Sequence, residues 1–178
     1  MSEFGSTTII PDDAALLILD CFDTLVELEG EGYRVRKGIG AFLDHYGERL
    51  GIPLVVHSDA AVDHLHAVLE TTGIGHHFRR AYGSPDATEQ SDEGLLLKRL
   101  DLPLRDFGVV ADLAIFIGDS KLDVLSAQRY GVGFIRVPGS ADTDFDFRQL
   151  IKGPSNYRSQ EYSTRLFRRY GKEPPHGA

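Results

Sequence analysis

The chain has no tryptophan, a single methionine and a single cysteine, Cys21. One thiol excludes an internal disulfide framework and fits a reducing compartment. No apolar run approaches the roughly 20 residues that span a bilayer, so no membrane association is expected. The N-terminus shows no basic stretch followed by an apolar one. A cytoplasmic location is the expectation. Positive charge is also in short supply, with 19 Lys and Arg against 27 Asp and Glu, a net charge of −8. Nucleic-acid binding rests largely on cations that neutralise phosphates, so general affinity for it is not expected.

What is present is ordinary for a globular protein. At 178 residues, 42% hydrophobic and 26% charged, the chain is long enough for one domain and short for two. Residues 1–150 are expected to form that domain, and 151–178 a basic helical segment with a disordered tail. Arg158, Arg165, Arg168, Arg169 and Lys172 face only Glu161 in that segment. Their bland role is a solvated helix face; the sharper one is contact with an acidic protein partner or a second copy of the chain.

Strand and helix patterns alternate. Residues 14–19 form a continuous apolar run that ends in acid, as a buried central strand does. Residues 37–50 carry apolar groups at helical spacing and stop at Gly51. Pro53–His57 reads as a strand, Ala61, Leu65 and Val68 as one helix face, and Phe78–Tyr82 as a short strand. Gly83–Asp92 reads as a loop and Leu95–Leu100 as helix. Leu113–Ile117 is a strand, Asp123–Tyr130 a helix closed by Gly131, and Phe134–Val137 a last strand. This alternation predicts an α/β fold: a Rossmann-like three-layer α/β/α sandwich around a mainly parallel sheet.

In such sheets ligands bind at the carboxyl ends of the strands. The predicted strands end in Asp20, in His57-Ser58-Asp59 and in Gly118-Asp119-Ser120, which places three polar groups along one edge. The flanking residues make the pattern specific. LLILDCFDTLV (16–26) resembles the first motif of the haloacid dehalogenase-like superfamily, with Asp20 at the nucleophile position and Thr24 at the threonine. LAIFIGDSKLD (113–123) is similar to its fourth motif, Gly-Asp-x-x-x-Asp. Ser58 matches the second motif's hydroxyl. Lys98, 21 residues before Asp119, is the candidate for the third motif's lysine, with Lys121 in reserve.

The resemblance implies a Mg²⁺-dependent phosphohydrolase. A hard divalent cation offsets the repulsion between an attacking carboxylate and a phosphoryl group. Asp20, Asp119, Asp123 and the Phe22 backbone carbonyl are the implied metal ligands. Asp20 is the implied nucleophile, forming an aspartyl-phosphate, with Ser58 and Lys98 completing the catalytic set. Thr24, Ser58 and Ser120 are the implied substrate contacts. Asp123 also suits a helix start, where acids are favoured.

One position departs from the family's phosphatases, which carry a second aspartate two residues after the nucleophile. Here that residue is Phe22, and general acid–base help is typically worth about 10²–10⁴-fold. Asp23, in the motif's usual glycine slot, and His57 are the substitutes at hand. His57 is expected to point to the opposite face from Ser58 by strand alternation. Between Asp23 and Ser58 lie 34 residues, and 39 between Ser58 and Lys98. Core elements use both, so no substantial cap domain is expected, and the resemblance is to capless members. A phosphorylated substrate, large or macromolecular, fits an uncapped site. A weak or inactive binding module is the alternative reading, and a dehalogenase-type hydrolase, whose cap is missing here, the third.

Overall fold

The computed structural model describes residues 10–151 and the two-residue strand Glu161–Tyr162. The rest of the basic segment and the tail lie outside the described residues. Chain order runs β1 (Leu16–Leu19), β2 (Val26–Glu29), β3 (Gly32–Val35), α1 (Ile39–Leu43), β4 (Leu54–Ala61), α2 (Val62–Thr71), β5 (Arg80–Ser84) and β6 (Thr88–Gln90). It continues with β7 (Leu96–Lys98), α3 (Asp101–Phe107), β8 (Ala114–Gly118), α4 (Lys121–Tyr130), β9 (Gly133–Arg136) and β10 (Glu161–Tyr162).

The main sheet has the order β10-β9-β8-β1-β4-β5; every neighbour pair is parallel except β10 on β9. From β1 the chain builds outward through β4 to β5, then returns to add β8 and β9 on the other side. The connections therefore reverse direction between β1 and β8, which opens a crevice at the carboxyl ends of those two strands.

Period-two alternation explains why β1 is apolar throughout. Leu17 and Leu19 join Val56, Ile115 and Ile117 in a core layer under α1 and α2. Leu16 and Ile18 join Val55, Phe116, Val124 and Ala127 in a layer under α3 and α4. All four β1 side chains are buried, two on each face. No described helix is long and apolar enough to cross a membrane.

Four local expectations need correction. Leu95–Leu100 is not helical: Leu96–Lys98 is strand β7, paired antiparallel with β6 in a hairpin of its own. The stretch 83–92 is accordingly not all loop, since it contains β6. A second hairpin, β2–β3, which the sequence pattern does not signal, lies between Asp23 and α1. The helix from Ile39 widens after α1 into a π-turn over Asp44–Arg49, and Gly51 then follows at φ 65°. Within the basic segment expected to be helical, Glu161–Tyr162 is extended. Neither hairpin is an inserted domain, and no large cap is present among the described residues.

Candidate active site

The register of the sheet assembles the site. Leu19 pairs with Ile117, and the Asp20 N–H donates to the Ile117 carbonyl at 2.9 Å. One step further along each strand come Asp20 and Gly118-Asp119, side by side at the switch point. Gly118 is required there. A Cβ at this position would lie 2.7 Å from Asp123 Cγ, so only glycine lets α4 bring its carboxylate against the strand end.

Asp20 continues the β1 alternation toward the α4 face, whereas the next side chain, Cys21, packs in the opposite core layer. On the α4 face Asp20 meets Lys98, whose Nζ donates to Asp20 Oδ1 at 2.9 Å and to Asp123 Oδ1. All three are buried. Strand β7 is held for this purpose by α4: the Lys98 N–H donates to Ser126 Oγ at 3.0 Å, and Ser126 in turn donates to the Leu122 carbonyl. Burial alone pulls an ammonium toward neutrality. Here the Asp20 and Asp123 charges outweigh that pull and hold Lys98 protonated, well above its ordinary range. Burial pushes the Asp20 carboxyl up; Lys98 opposes this, and the Asp123 and Asp119 charges add to it. Asp119 is raised by burial and by Asp123, against the hydrogen bond from Thr24.

The expected substrate contacts fall in three different places. Thr24 is fully buried, with its hydroxyl 3.0 Å from both Asp20 Oδ2 and Asp119 Oδ1, so it ties the two carboxylates together. Ser120 is the N-cap of α4 and forms a capping box with Asp123: the Asp123 N–H donates to Ser120 Oγ and the Ser120 N–H to Asp123 Oδ2. The helix-start role foreseen for Asp123 is thus observed. Ser58 is buried at the end of the β4 core run, with Oγ accepting the Ala60 N–H at 3.0 Å. His57 does face the other way, stacked on Tyr82 with Nε2 3.2 Å from the Arg99 carbonyl. Lys121, the reserve lysine, is exposed on α4.

Asp20, Asp119 and Asp123 each offer an oxygen, all within 4.8 Å of one another. Three carboxylates against the single Lys98 ammonium leave two negative charges in a largely buried space. A divalent cation matches that residue of charge, and all-oxygen donors suit a hard one. Asp123 and Asp20 each accept at both oxygens, whereas Asp119 accepts from Thr24 at Oδ1, which leaves Asp119 Oδ2 the more available ligand atom.

Phe22 and Asp23 occupy the turn after β1. Asp23 has φ 61°, the left-handed region, which accounts for glycine's place in the related motif; an aspartate tolerates it better than most residues. Its Oδ1 accepts from Ser140 Oγ at 2.5 Å. Phe22 turns its ring to the β2–β3 hairpin and α2, packing on Tyr33 and His64.

Arg36 was not singled out in the sequence and is central to this turn. It is 4% exposed, and its guanidinium donates to the carbonyls of Asp23 (2.7 Å), Pro138 (2.8 Å) and Gly139 (3.2 Å). Phe145 and Phe147 lie under it at 5.5 and 5.9 Å. The guanidinium thereby clamps the turn after β1 to the loop after β9, on the two sides of Asp119. Nothing in its sequence neighbourhood signals this, because every acceptor is a backbone carbonyl.

The family model described as haloacid dehalogenase-like hydrolase matches residues 18–137, more than half the chain. No curated protein matches in sequence. Among solved structures, a HAD-superfamily hydrolase from Ehrlichia chaffeensis superposes with a TM-score of 0.59 at 16% identity, covering 69% of this chain and 87% of that one. A haloacid dehalogenase-like protein from Streptococcus pneumoniae gives 0.59 at 14% identity over 74% and 90%. CbbY from Rhodobacter sphaeroides, solved with xylulose-(1,5)bisphosphate, gives 0.52 at 21% identity; the match covers 66% of this chain and 52% of CbbY. With the matched residues spanning β1 to the end of β9 and both strand-end carboxylates, the chain belongs to the haloacid dehalogenase-like hydrolases.

Proposed function

We propose that the chain is a Mg²⁺-dependent phosphohydrolase in which Asp20 attacks phosphorus. The observation that carries this reading is the buried Lys98–Asp20 contact at the switch point, inside a carboxylate cluster with two charges to spare. Asp20 and Asp119, with Asp123 and the Phe22 carbonyl, hold the ion; it supplies positive charge that offsets repulsion between carboxylate and phosphoryl oxygens. Lys98 orients Asp20 and balances charge on the transferring group. Thr24 fixes the spacing of Asp20 and Asp119. Ser58, whose oxygen already accepts the Ala60 N–H, has its own proton left to give to a phosphoryl oxygen. The sugar bisphosphate bound by CbbY agrees with a phosphate ester as substrate, and the absence of a large cap suits a substrate wider than the crevice.

Turnover of para-nitrophenyl phosphate, with and without Mg²⁺, tests the proposal. Mg²⁺-dependent phosphate release that disappears in Asp20→Asn is the expected result. Equal release from Asp20→Asn and the unaltered chain overturns it. A second reading, a binding module with a disabled site, draws on the ring at Phe22 and on Asp23 being held by Ser140. Tight binding of phosphate with no turnover supports that reading instead.

A further inference from the structure

Three rings meet beside the turn that follows Asp20, and the phosphohydrolase chemistry gives them no task. Phe22 comes from the turn two residues after Asp20, Tyr33 from β3, and His64 from the first turn of α2, which follows the Ser58 strand end. Phe22 and His64 stack with centroids 5.3 Å apart and planes 3° from parallel. Tyr33 meets Phe22 edge-on at 5.1 Å and His64 at 6.0 Å. Phe22 and Tyr33 are half-buried and His64 is exposed, so the cluster keeps part of its surface open to solvent.

We infer that this cluster is a stacking platform for an aromatic leaving group, so that the substrate is an aryl phosphate monoester. The inference deepens the reading above and rests on Asp20 as nucleophile. Two independent features of the site converge on it. The first is position. Phe22 stands two residues after Asp20, at most about 7 Å away at Cα, and its ring, with Tyr33, lies against the edge of the core layer that also takes Cys21. A group leaving phosphorus beside Asp20 is within reach of the rings. Aromatic groups prefer offset or edge-on contact with such rings.

The second is proton supply. The acids around Asp20 are already engaged: Asp119 with Thr24, Asp123 with Lys98 and Ser120, Asp23 with Ser140. An alkoxide is about as basic as hydroxide, whose conjugate acid has a pKa near 15.7, and it leaves poorly without a proton. A phenol has a pKa of about 10, so a phenolate departs unaided. In the first step an Asp20 oxygen bonds to phosphorus while the bond from phosphorus to the ring oxygen breaks, and the electron pair leaves with the phenolate. Water then attacks phosphorus, the bond to Asp20 breaks, the carboxylate is restored and the proton passes to solvent.

The test compares phenylphosphonate with methylphosphonate by calorimetry, with Mg²⁺ present. Neither can be hydrolysed, so only recognition is read. The full chain is expected to bind the phenyl compound about tenfold more tightly. In a Tyr33→Ser/His64→Ser double variant the preference falls toward unity while methylphosphonate affinity holds. Phe22→Leu, which keeps bulk against the core, lowers the preference as well. Equal affinity for the two compounds, no binding of the phenyl compound, or a preference that survives all three substitutions overturns the inference. So does turnover of alkyl phosphates at rates equal to aryl ones. Failure of the phosphohydrolase reading looks different: the chain prefers phenylphosphonate yet releases no phosphate from phenyl phosphate. Phosphotyrosine as the free amino acid and within a peptide share the aryl chemistry, and comparing their KM values shows whether the recognised ring is free or chain-borne.

Discussion

Lys98 Nζ lies 2.9 Å from Asp20 Oδ1, a buried ion pair between residues 78 positions apart in the chain. Lys98 is also the only cation in contact with Asp123 among the described pairs. Lys98→Met therefore leaves two buried carboxylates without their partner. Removing one member of a buried pair typically destabilises by about 3–5 kcal/mol, and the loss should be largest without Mg²⁺. Urea unfolding reads this directly. Phosphate release is expected to fall by about 10²–10³-fold; activity within twofold of the unaltered chain shows that Lys98 serves only the fold.

Mg²⁺ is expected to raise the melting temperature, since a ligand that binds only the folded chain stabilises it by about 2.7 kcal/mol at 100 times Kd. Asp119→Asn removes one charge and one ligand while keeping the shape that Thr24 contacts. Its Tm should respond to Mg²⁺ much less. An unchanged response places the ion elsewhere.

Phe22→Asp restores an acid beside the nucleophile. Turnover of alkyl phosphates should rise by about 10²-fold or more, whereas release of a phenolate, which needs no proton and loses a stacking ring, should not rise. If Asp20 is the nucleophile as proposed, the same lack of a base in the unaltered chain should slow hydrolysis of its phosphorylated form. Rapid mixing with para-nitrophenyl phosphate is then expected to show a burst of about one phenolate per chain. A linear time course from the first turnover contradicts this.

His57 is fully buried, and its Nδ1 has no hydrogen-bond partner among the described residues. Burial, helped by the Lys98 charge, pulls its pKa down to about 3. The unfolded imidazole takes up a proton below about pH 6.5 and the folded one does not until near pH 3, so stability is lost as pH falls through that window. The slope from this group is about 1.4 kcal/mol per pH unit. His57→Phe removes the titration together with the contact to the Arg99 carbonyl. The stability gap between the two proteins should therefore shrink between pH 7 and pH 4.5. A constant gap excludes His57 as a source of acid sensitivity.

The parts of the fold that were legible in sequence are those where burial on both faces dictates composition. Leu16–Leu19 and Ala114–Gly118 read as strands because nothing polar fits between two core layers. Strand β7 was misread because Leu95-Leu-Leu-Lys-Arg-Leu100 suits a helical turn as well as a short strand. Its pairing with β6 and the bond to Ser126 decide the matter, and both are tertiary. Lys98, singled out by its spacing to Asp119, nevertheless lies against Asp20, since that spacing does not depend on local conformation. Thr24 and Ser120 were expected as substrate contacts; their hydrogen bonds to Asp20, Asp119 and Asp123 were not foreseen. The Phe22–Tyr33–His64 contact joins three distant elements, and no single-chain period reveals it.

The Arg36 clamp sets an order on the making of the site. Its acceptors at Pro138 and Gly139 lie 102 and 103 residues further along the chain. During synthesis Asp20, Thr24 and the β2–β3 hairpin leave the ribosome early, with a guanidinium that still lacks its acceptors at Pro138 and Gly139. Only when the loop after β9 has emerged can the turn bearing the nucleophile be locked beside Asp119. Asp20, the first proposed catalytic group to be translated, is thus among the last to be finished, and a nascent chain stalled before Gly139 carries every proposed ligand in an unlocked centre.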